Sequence, residues 1–288
     1  MIWRLLLDGA ARGAWNMAVD EALLMAATQP ETVPVLRFYD WDPACLSLGR
    51  FQSFDQTVAA SAALRGVLER GGTDFDWVRR PTGGRAVWHA HEITYSVVMR
   101  EELLPPDSRS VAGAYRWFSE GFITGLEALG IRAQLAPGES REQRDRALRT
   151  ANCFASATRC DFLVQGRKLI GAAQCRRHGA ILQHGSILLH IDSESWQNAV
   201  GGDEPKGAVA ENGGEQDTGA DGMAALHDLG ITASRSEIVQ FLCDGITHEL
   251  GATLEQSSLV DAEREMAKEL HSRKYMRDEW NINGREKA

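Results

Sequence analysis

The chain has no Cys-x-x-Cys pair, no apolar run near the ~20 residues of a membrane span, and no excess of positive charge. Each absence removes a class of protein. The five cysteines, Cys45, Cys153, Cys160, Cys175 and Cys243, are odd in number and widely spaced. Neither a disulfide framework nor a structural zinc site is therefore expected, and each thiol defaults to a small buried hydrophobe. Lys+Arg 31 against Asp+Glu 40 gives a net charge of -9, which argues against a general nucleic-acid binder. The opening MIWRLLLDGAARGAW is too short in apolar residues for a secretory segment and has no cleavage site, so a cytoplasmic protein with no membrane partner is expected. There is no Ser-His-Asp order, no H-E-x-x-H and no G-x-x-x-x-G-K-[ST], which leaves serine-hydrolase, zincin and P-loop readings without support.

What is present is an ordinary globular composition: 288 residues, 43% hydrophobic and 25% charged. No internal repeat or clear linker divides it, so one α/β (α+β) domain over 1–288 is expected. Helical periodicity covers 15–28, 57–70, 110–129 (capped near Ser108 or Ser110), 234–250 (capped by Ser234 or Ser236) and 259–275. Strand patterns cover 35–41 and 45–52, flanking a turn at Asp42-Pro43, and also 93–99. Residues 77–89 read as strand, Gly turn, strand. Residues 161–191 read as a three-stranded meander with hairpin turns at Gln165-Gly166 and His178-Gly179. Seven of the 22 residues in 201–222 are Gly and no apolar period runs through them, so a mobile acidic loop is expected there.

Four local patterns could carry chemistry. Arg79-Arg80-Pro81-Thr82-Gly83-Gly84-Arg85 places paired glycines among three arginines. Backbone amides at such a turn can face a shared concavity, and the arginines suit a phosphate or carboxylate. The competing reading is a tight hairpin with solvated arginines. Cys153 lies between a charged stretch and the meander, with Arg149, Arg159 and Lys168 the nearest cations in sequence, a setting that lowers a thiol pKa. Lys168, in Gly166-Arg167-Lys168-Leu169-Ile170-Gly171, is either held toward a cleft or blunts an edge strand. His184, in Gln183-His184-Gly185-Ser186, is either a base or a core histidine. Charge is uneven along the chain. Residues 137–180 carry nine Lys/Arg and four Asp/Glu, and 190–222 carry one Lys and eight Asp/Glu. A basic band around a candidate nucleophile suits an acidic partner.

These residues resemble the lipoate–protein ligase A, octanoyltransferase and biotin–protein ligase superfamily. The resemblance runs through Asn16-Met17-Ala18-Val19-Asp20-Glu21-Ala22, Leu36-Arg37-Phe38-Tyr39 and Gly49-Arg50-Phe51-Gln52. It continues in Arg79-Arg80-x-Thr82-Gly83-Gly84-x-Ala86-Val87-x-His89, Gly166-x-Lys168-x-x-Gly171-x-Ala173-Gln174 and Leu182-Gln183-His184-Gly185-Ser186, and ends in Lys274-Tyr275 and Trp280-Asn281. It implies mixed β-sheets flanked by helices, an acyl-binding tunnel, and transfer of an acyl chain to a lysine of a lipoyl domain. Ligases of the family usually show Gly-Gly-Gly-Ala-Val, whereas Arg85 stands third here. Gly-Gly-Arg-Ala-Val followed by His-x-x-Glu-x-Thr-Tyr-Ser resembles the cysteine-dependent octanoyltransferases of Gram-positive type, which carry Cys-Phe where Cys153-Phe154 stand.

The resemblance implies Cys153 as nucleophile and Lys168 as its catalytic partner. Arg79, Gly83, Gly84, Arg85, His89, Gly171 and His184 would shape the acyl and carbonyl site, with no metal and no cofactor. It also implies octanoyl-acyl carrier protein as donor, and as acceptor a lipoyl domain such as glycine cleavage H protein or a dehydrogenase E2 subunit. Two related readings stay open: an ATP- and Mg²⁺-dependent lipoate ligase, and an amidotransferase between lipoyl domains. The acidic 201–222 segment, where relatives tend to carry Lys and Ser, weighs against an adenylate cover. A catalytically idle carrier-binding protein is the reading from a different class. Asn152 stands where relatives often have Pro.

Overall fold

The computed structural model describes residues 1–70, 75–136, 161–200 and 222–285. Cys153, Cys160, the arginines at 141–149 and nearly all of the acidic 201–222 segment lie outside them. Two sheets carry the described strands. The larger has eight, in the order β11-β1-β2-β6-β10-β9-β8-β7. They are β1 (Ile2–Ala11), β2 (Val35–Trp41), β6 (Glu92–Arg100), β7 (Gln134–Leu135), β8 (Phe162–Val164), β9 (Arg167–Arg177), β10 (Ala180–Leu188) and β11 (Thr253–Ser257). β1 runs parallel to both β11 and β2, and β2, β6, β10, β9, β8 and β7 pair antiparallel in turn. The smaller sheet has the order β4-β3-β5: β4 (Asp76–Arg79), β3 (Cys45–Leu48) and β5 (Val87–His89).

The expected meander is β8, β9 and β10. Its two turns have positive φ at both central residues, 53° and 79° at Gln165-Gly166 and 48° and 79° at His178-Gly179, as tight hairpin turns between twisted strands require. The expected helices over 15–28, 110–129 and 234–250 are α1 (Gly13–Ala26), α4 (Val111–Ala128) and α6 (Arg235–Leu250). Ser110 caps α4 by accepting from the Gly113 amide, and Ser234 caps α6 in a reciprocal box with Glu237.

Several expectations change. The helix over 57–70 is two, α2 (Phe54–Ala60) and α3 (Ala62–Arg70), broken at Ser61, whose hydroxyl accepts from the Leu64 amide. The strand over 45–52 ends at Leu48. It does not pair with β2, because the Asp42-Pro43 turn carries the chain from one sheet to the other. Residues 77–89 are not a hairpin: β3 lies between β4 and β5, parallel to the first and antiparallel to the second. The helix over 259–275 is α7 (Asp261–Leu270), closed by one wider π turn over His271–Tyr275. β1, β11 and α5 (Ser193–Val200) were not expected.

Strand alternation decides which side chains meet which layer. On one face of the large sheet Leu36, Phe38, Ile93, Tyr95, Val97, Met99, Ile181 and Ile187 pack under α4 and α6. The intervening residues Arg37, Tyr39, Thr94, Ser96, His184 and Ser186 point to the other face, under α1 and the small sheet, and are also buried. A polar stripe that would ordinarily face water is therefore enclosed. A last short helix, α8 (Asp278–Asn281), closes the far side of the small sheet: the Trp280 indole donates to the Arg79 carbonyl, and Asn281 Oδ1 accepts from the Arg79 amide.

Candidate active site

The site grows from the enclosed polar stripe. Asp20, on α1 and fully buried, accepts four hydrogen bonds. Arg37 Nη1 (2.8 Å) and Ser96 Oγ (2.9 Å) donate to one oxygen, and the Tyr39 hydroxyl (2.9 Å) donates to the other. His184 Nδ1 lies 3.0 Å from that second oxygen. Burial opposes the charge on Asp20, but the bond from His184 and the positive charge of Arg37 outweigh it, leaving the carboxyl below its ordinary range. On the far side of the imidazole, His184 Nε2 is 2.7 Å from Thr82 Oγ1. Burial pushes His184 below the usual histidine value despite Asp20.

A second chain of the same kind stands beside it. His89 Nδ1 is 2.7 Å from Glu92 Oε1, and its Nε2 is 2.7 Å from Ser47 Oγ. Glu92 Oε1 also accepts from Thr94 Oγ1 and Ser186 Oγ, and the Trp41 indole donates to Thr94. Trp41 stacks on His89 with centroids 4.1 Å apart, which fixes the ring plane.

Arg80 joins the two chains. Its Nε donates to Thr82 Oγ1 at 3.2 Å and its Nη1 to Ser47 Oγ at 3.2 Å. Its Nη2 donates to the carbonyls of Gly83 (2.8 Å) and Arg85 (2.7 Å). The glycine turn is thus held by its carbonyls. Gly84 has φ +92°, and its carbonyl oxygen sits where a side chain at Gly49 would begin, 1.9 Å from an ideal Cβ there, so both positions need glycine. The amides of Gly83 and Gly84 donate to no backbone carbonyl among the described residues.

Between the two chains lies a cavity of about 100 Å³. Its walls include Gly84, Arg85, His89, Gly171 and His184, five of the residues expected at the acyl site. Buried Met17, Tyr39 and Trp41 lie at the inner end, and the less buried Gly84, Arg85 and Gly171–Ala173 lie at the outer end. Small residues, Gly171 to Ala173 of β9 and Gly185 of β10, form one wall, and a Cβ at Gly185 would meet the Tyr95 ring 2.7 Å away on the other face of the sheet.

Three expected residues do not line this cavity. Gly83 sits just behind Gly84, tied to Arg80. Arg79 is buried and directed away. Its guanidinium donates to the carbonyls of Gly49 (2.8 Å), Arg50 (3.1 Å), Gln52 (2.8 Å), Trp280 (3.1 Å), Asn281 (3.0 Å) and Ile282 (3.0 Å). That arginine fastens the chain's last described turn and the loop after β3 to the small sheet. The arginines at 79 and 80 are therefore neither solvated nor part of a hairpin. Lys168 is buried on β9, an interior strand rather than an edge, with its Nζ 2.8 Å from Asp161 Oδ2. Cys153 lies outside the described residues, and Asp161 is the first described residue after that segment. Burial raises the thiols of the three described cysteines: Cys175 and Cys243 to about 12, and Cys45 well above its usual value. No group of three or more His, Cys, Asp or Glu side chains among the described residues could hold a metal ion. No helix among them is long and apolar enough to cross a membrane.

Sequence reasoning did not single out Asp20, Ser47, Thr82, Glu92 or Asp161 as site residues, and it offered Arg80 only as one of three arginines around the glycine turn. A usable signal was available for Asp20: a carboxylate flanked by Met17, Ala18 and Val19 on one helix turn is a charge on an apolar face, and a buried charge needs partners.

The chain is similar to known proteins over nearly its whole length. Residues 12–247 match the family described as the lipoyl protein ligase A/B catalytic domain. The chain is 42% identical over 281 residues to a protein of Kyrpidia tusciae named octanoyltransferase LipM, covering 97% of this chain and 98% of that one. It is 35% identical over 282 residues to the protein of that name from Bacillus subtilis, covering 97% of each. Among solved structures it resembles a lipoate-protein ligase A bound with ATP, with TM-score 0.77, 25% identity and coverage of 99% and 100%. It likewise resembles a bi-partite lipoate protein ligase of Thermoplasma acidophilum, with TM-score 0.76, 25% identity and coverage of 100% and 98%. With a family match over residues 12–247 and relatives of 35–42% identity over nearly the full length, the chain belongs to the lipoyl protein ligase A/B catalytic-domain family.

Proposed function

We propose that the protein is an octanoyl-[acyl carrier protein]:protein N-octanoyltransferase of lipoate biosynthesis, acting in the cytoplasm. The observation that carries this reading is its likeness, over nearly the full length of both chains, to proteins named octanoyltransferase LipM. The cavity supports it, since its polar walls are bonded to one another and an uncharged acyl chain can lie between them.

In the proposed reaction the Cys153 thiolate attacks the carbonyl carbon of octanoyl-acyl carrier protein. The new C–S bond forms, the old one breaks, and the carrier leaves as its thiol after taking a proton. The ε-amine of a lipoyl-domain lysine, such as that of glycine cleavage H protein or an E2 subunit, then attacks the enzyme thioester. A C–N bond forms, the C–S bond breaks, and the amine proton is balanced by reprotonation of Cys153. Thioester exchange is nearly balanced and amide formation is downhill, so the reaction asks for no ATP. Lys168, oriented by Asp161, would stabilise the thiolate or polarise the carbonyl. The Gly84 amide, at the cavity wall, would act as an oxyanion donor. The raised thiols of Cys45, Cys175 and Cys243 disfavour them as nucleophiles.

A second reading, ATP-dependent ligation of free lipoate or octanoate, has the likeness to the ATP-bound lipoate-protein ligase A in its favour. Supplying either octanoyl-acyl carrier protein without nucleotide, or free octanoate with ATP and Mg²⁺, to the enzyme and a lipoyl domain separates the two. The transferase reading expects modification only with the first. Modification only with the second would establish the ligase.

A further inference from the structure

We propose that Arg80 is a positioning residue that orients the Thr82 and Ser47 hydroxyls as donors to the two cavity histidines, each carrying its proton on Nδ1, and that it disfavours a charged His184. Each imidazole has its Nδ1 against a carboxylate oxygen: His184 against Asp20 at 3.0 Å, His89 against Glu92 at 2.7 Å. A carboxylate only accepts, so each Nδ1 carries a proton. In a neutral ring Nε2 is then an acceptor, and the hydroxyl 2.7 Å away must donate to it: Thr82 to His184, Ser47 to His89.

Arg80 favours that direction. Its Nε and Nη1 each donate to a hydroxyl oxygen at 3.2 Å while also reaching the carbonyls of Gly83 (3.2 Å) and Ser47 (3.1 Å), so one acceptor site on each hydroxyl is taken and its O–H is left for the imidazole. Protonating His184 Nε2 would aim a second donor at the Thr82 oxygen that already accepts from Arg80, and would add a positive charge beside a buried guanidinium. Arg80 therefore opposes imidazolium formation on His184. It also leaves neither ring with a free N–H facing the cavity, so walls built from polar residues behave as satisfied ones toward a hydrocarbon chain.

The groups facing His184 come from every element packed on it. Asp20 lies on α1, Arg80 and Thr82 follow β4, and His89 is on β5. Ser96 on β6, opposite His184, is spent on Asp20, as is Tyr39 on β2, while Arg37 on β2 faces Asp20 from the other side. Asp20 alone favours the charged ring. Burial and the Arg80 charge oppose it.

The test uses the full chain with ¹⁵N-labelled histidine and long-range ¹H–¹⁵N NMR across a pH series, so it does not depend on the transferase reading. Both His89 and His184 are expected as Nδ1–H tautomers in the unaltered protein. In Arg80→Met the protonation midpoint of His184 is expected to rise by about 1 pH unit. In Arg80→Lys, which keeps the charge but loses the fork, the rise is expected to be smaller. Thr82→Val is a milder variant, should Arg80→Met fail to fold. It is expected to alter the Nε2 signal of His184 while leaving His89 unchanged. Nε2–H tautomers in the unaltered protein would overturn the proposal. So would an unmoved His184 midpoint in a folded Arg80→Met, or an unmoved His184 Nε2 signal in Thr82→Val.

Discussion

Replacing Asp20 with asparagine keeps the side chain's shape and removes its charge. The native carboxylate accepts from Arg37 and Ser96 on one oxygen and from Tyr39 and His184 on the other, all between 2.8 and 3.0 Å. Asparagine offers one accepting oxygen, so whichever way it turns, two donors face its NH₂ group. The Arg37–Asp20 pair is also fully desolvated, and removing one partner of such a pair costs about 3–5 kcal/mol. Arg37 keeps its 2.7 Å bond to the partly exposed Asp8, which places the expected loss near the lower end, about 3 kcal/mol. At roughly 2–3 °C per kcal/mol for a chain of this size, the melting temperature should fall by about 6–9 °C. Denaturant unfolding by circular dichroism at pH 7 measures the difference directly. A loss below about 1 kcal/mol would mean that the four donors find equal partners without the charge, and that Asp20 does not hold them by its charge.

Arg79→Lys supplies three donors where six carbonyls are now held, so at least three lose a partner. A loss of about 3 kcal/mol is expected, with faster amide hydrogen exchange over Trp280–Ile282, and unchanged exchange there would contradict the clasp. For His184 the sign follows from a folded pKa below the unfolded value of 6.5: the unfolded chain takes up the proton first, so stability falls as pH drops below 6.5. The stability loss between pH 7 and pH 5.5 should be smaller in His184→Gln than in the unaltered protein, as read by urea midpoints, and equal losses would remove His184 from the account. Reversing Arg141, Arg144 and Arg146 to Glu should slow acylation by octanoyl-acyl carrier protein at low salt, with a penalty that shrinks as salt rises. Reaction with a small neutral octanoyl thioester should be unaffected; equal slowing with both donors would show that the arginines do not act in docking.

Much of the frame was legible in the sequence because local signals carried it. Ser110 and Ser234 mark helix starts, and Gln165-Gly166 and His178-Gly179 mark the meander's turns, each within a few residues. Pairing between distant segments was not local. Nothing within 77–89 reveals that β3, some thirty residues earlier, separates β4 from β5. β11, Thr-Leu-Glu-Gln-Ser, is a polar edge strand that only its parallel pairing with β1 orders. The site was legible as motifs but not as geometry. His89, His184, Gly84, Arg85 and Gly171 meet at one cavity, whereas Arg79 turned out to fasten the fold beside it. Thr94, Ser96 and Ser186 alternate with apolar residues, which reads as a solvated strand face. Only the burial of that face under α1 and the small sheet turns them into donors for Asp20 and Glu92.

In the proposed transfer Cys153 carries the acyl group between two proteins without nucleotide. Intact-mass analysis after mixing the enzyme with octanoyl-acyl carrier protein, in the absence of ATP and Mg²⁺, tests it most directly. One hydroxylamine-labile octanoyl group is predicted, mapping to the peptide that contains Asn152-Cys153-Phe154, absent from Cys153→Ala, and discharged by an added lipoyl domain. An unmodified enzyme, or full transfer to the lipoyl domain by Cys153→Ala, would contradict the account.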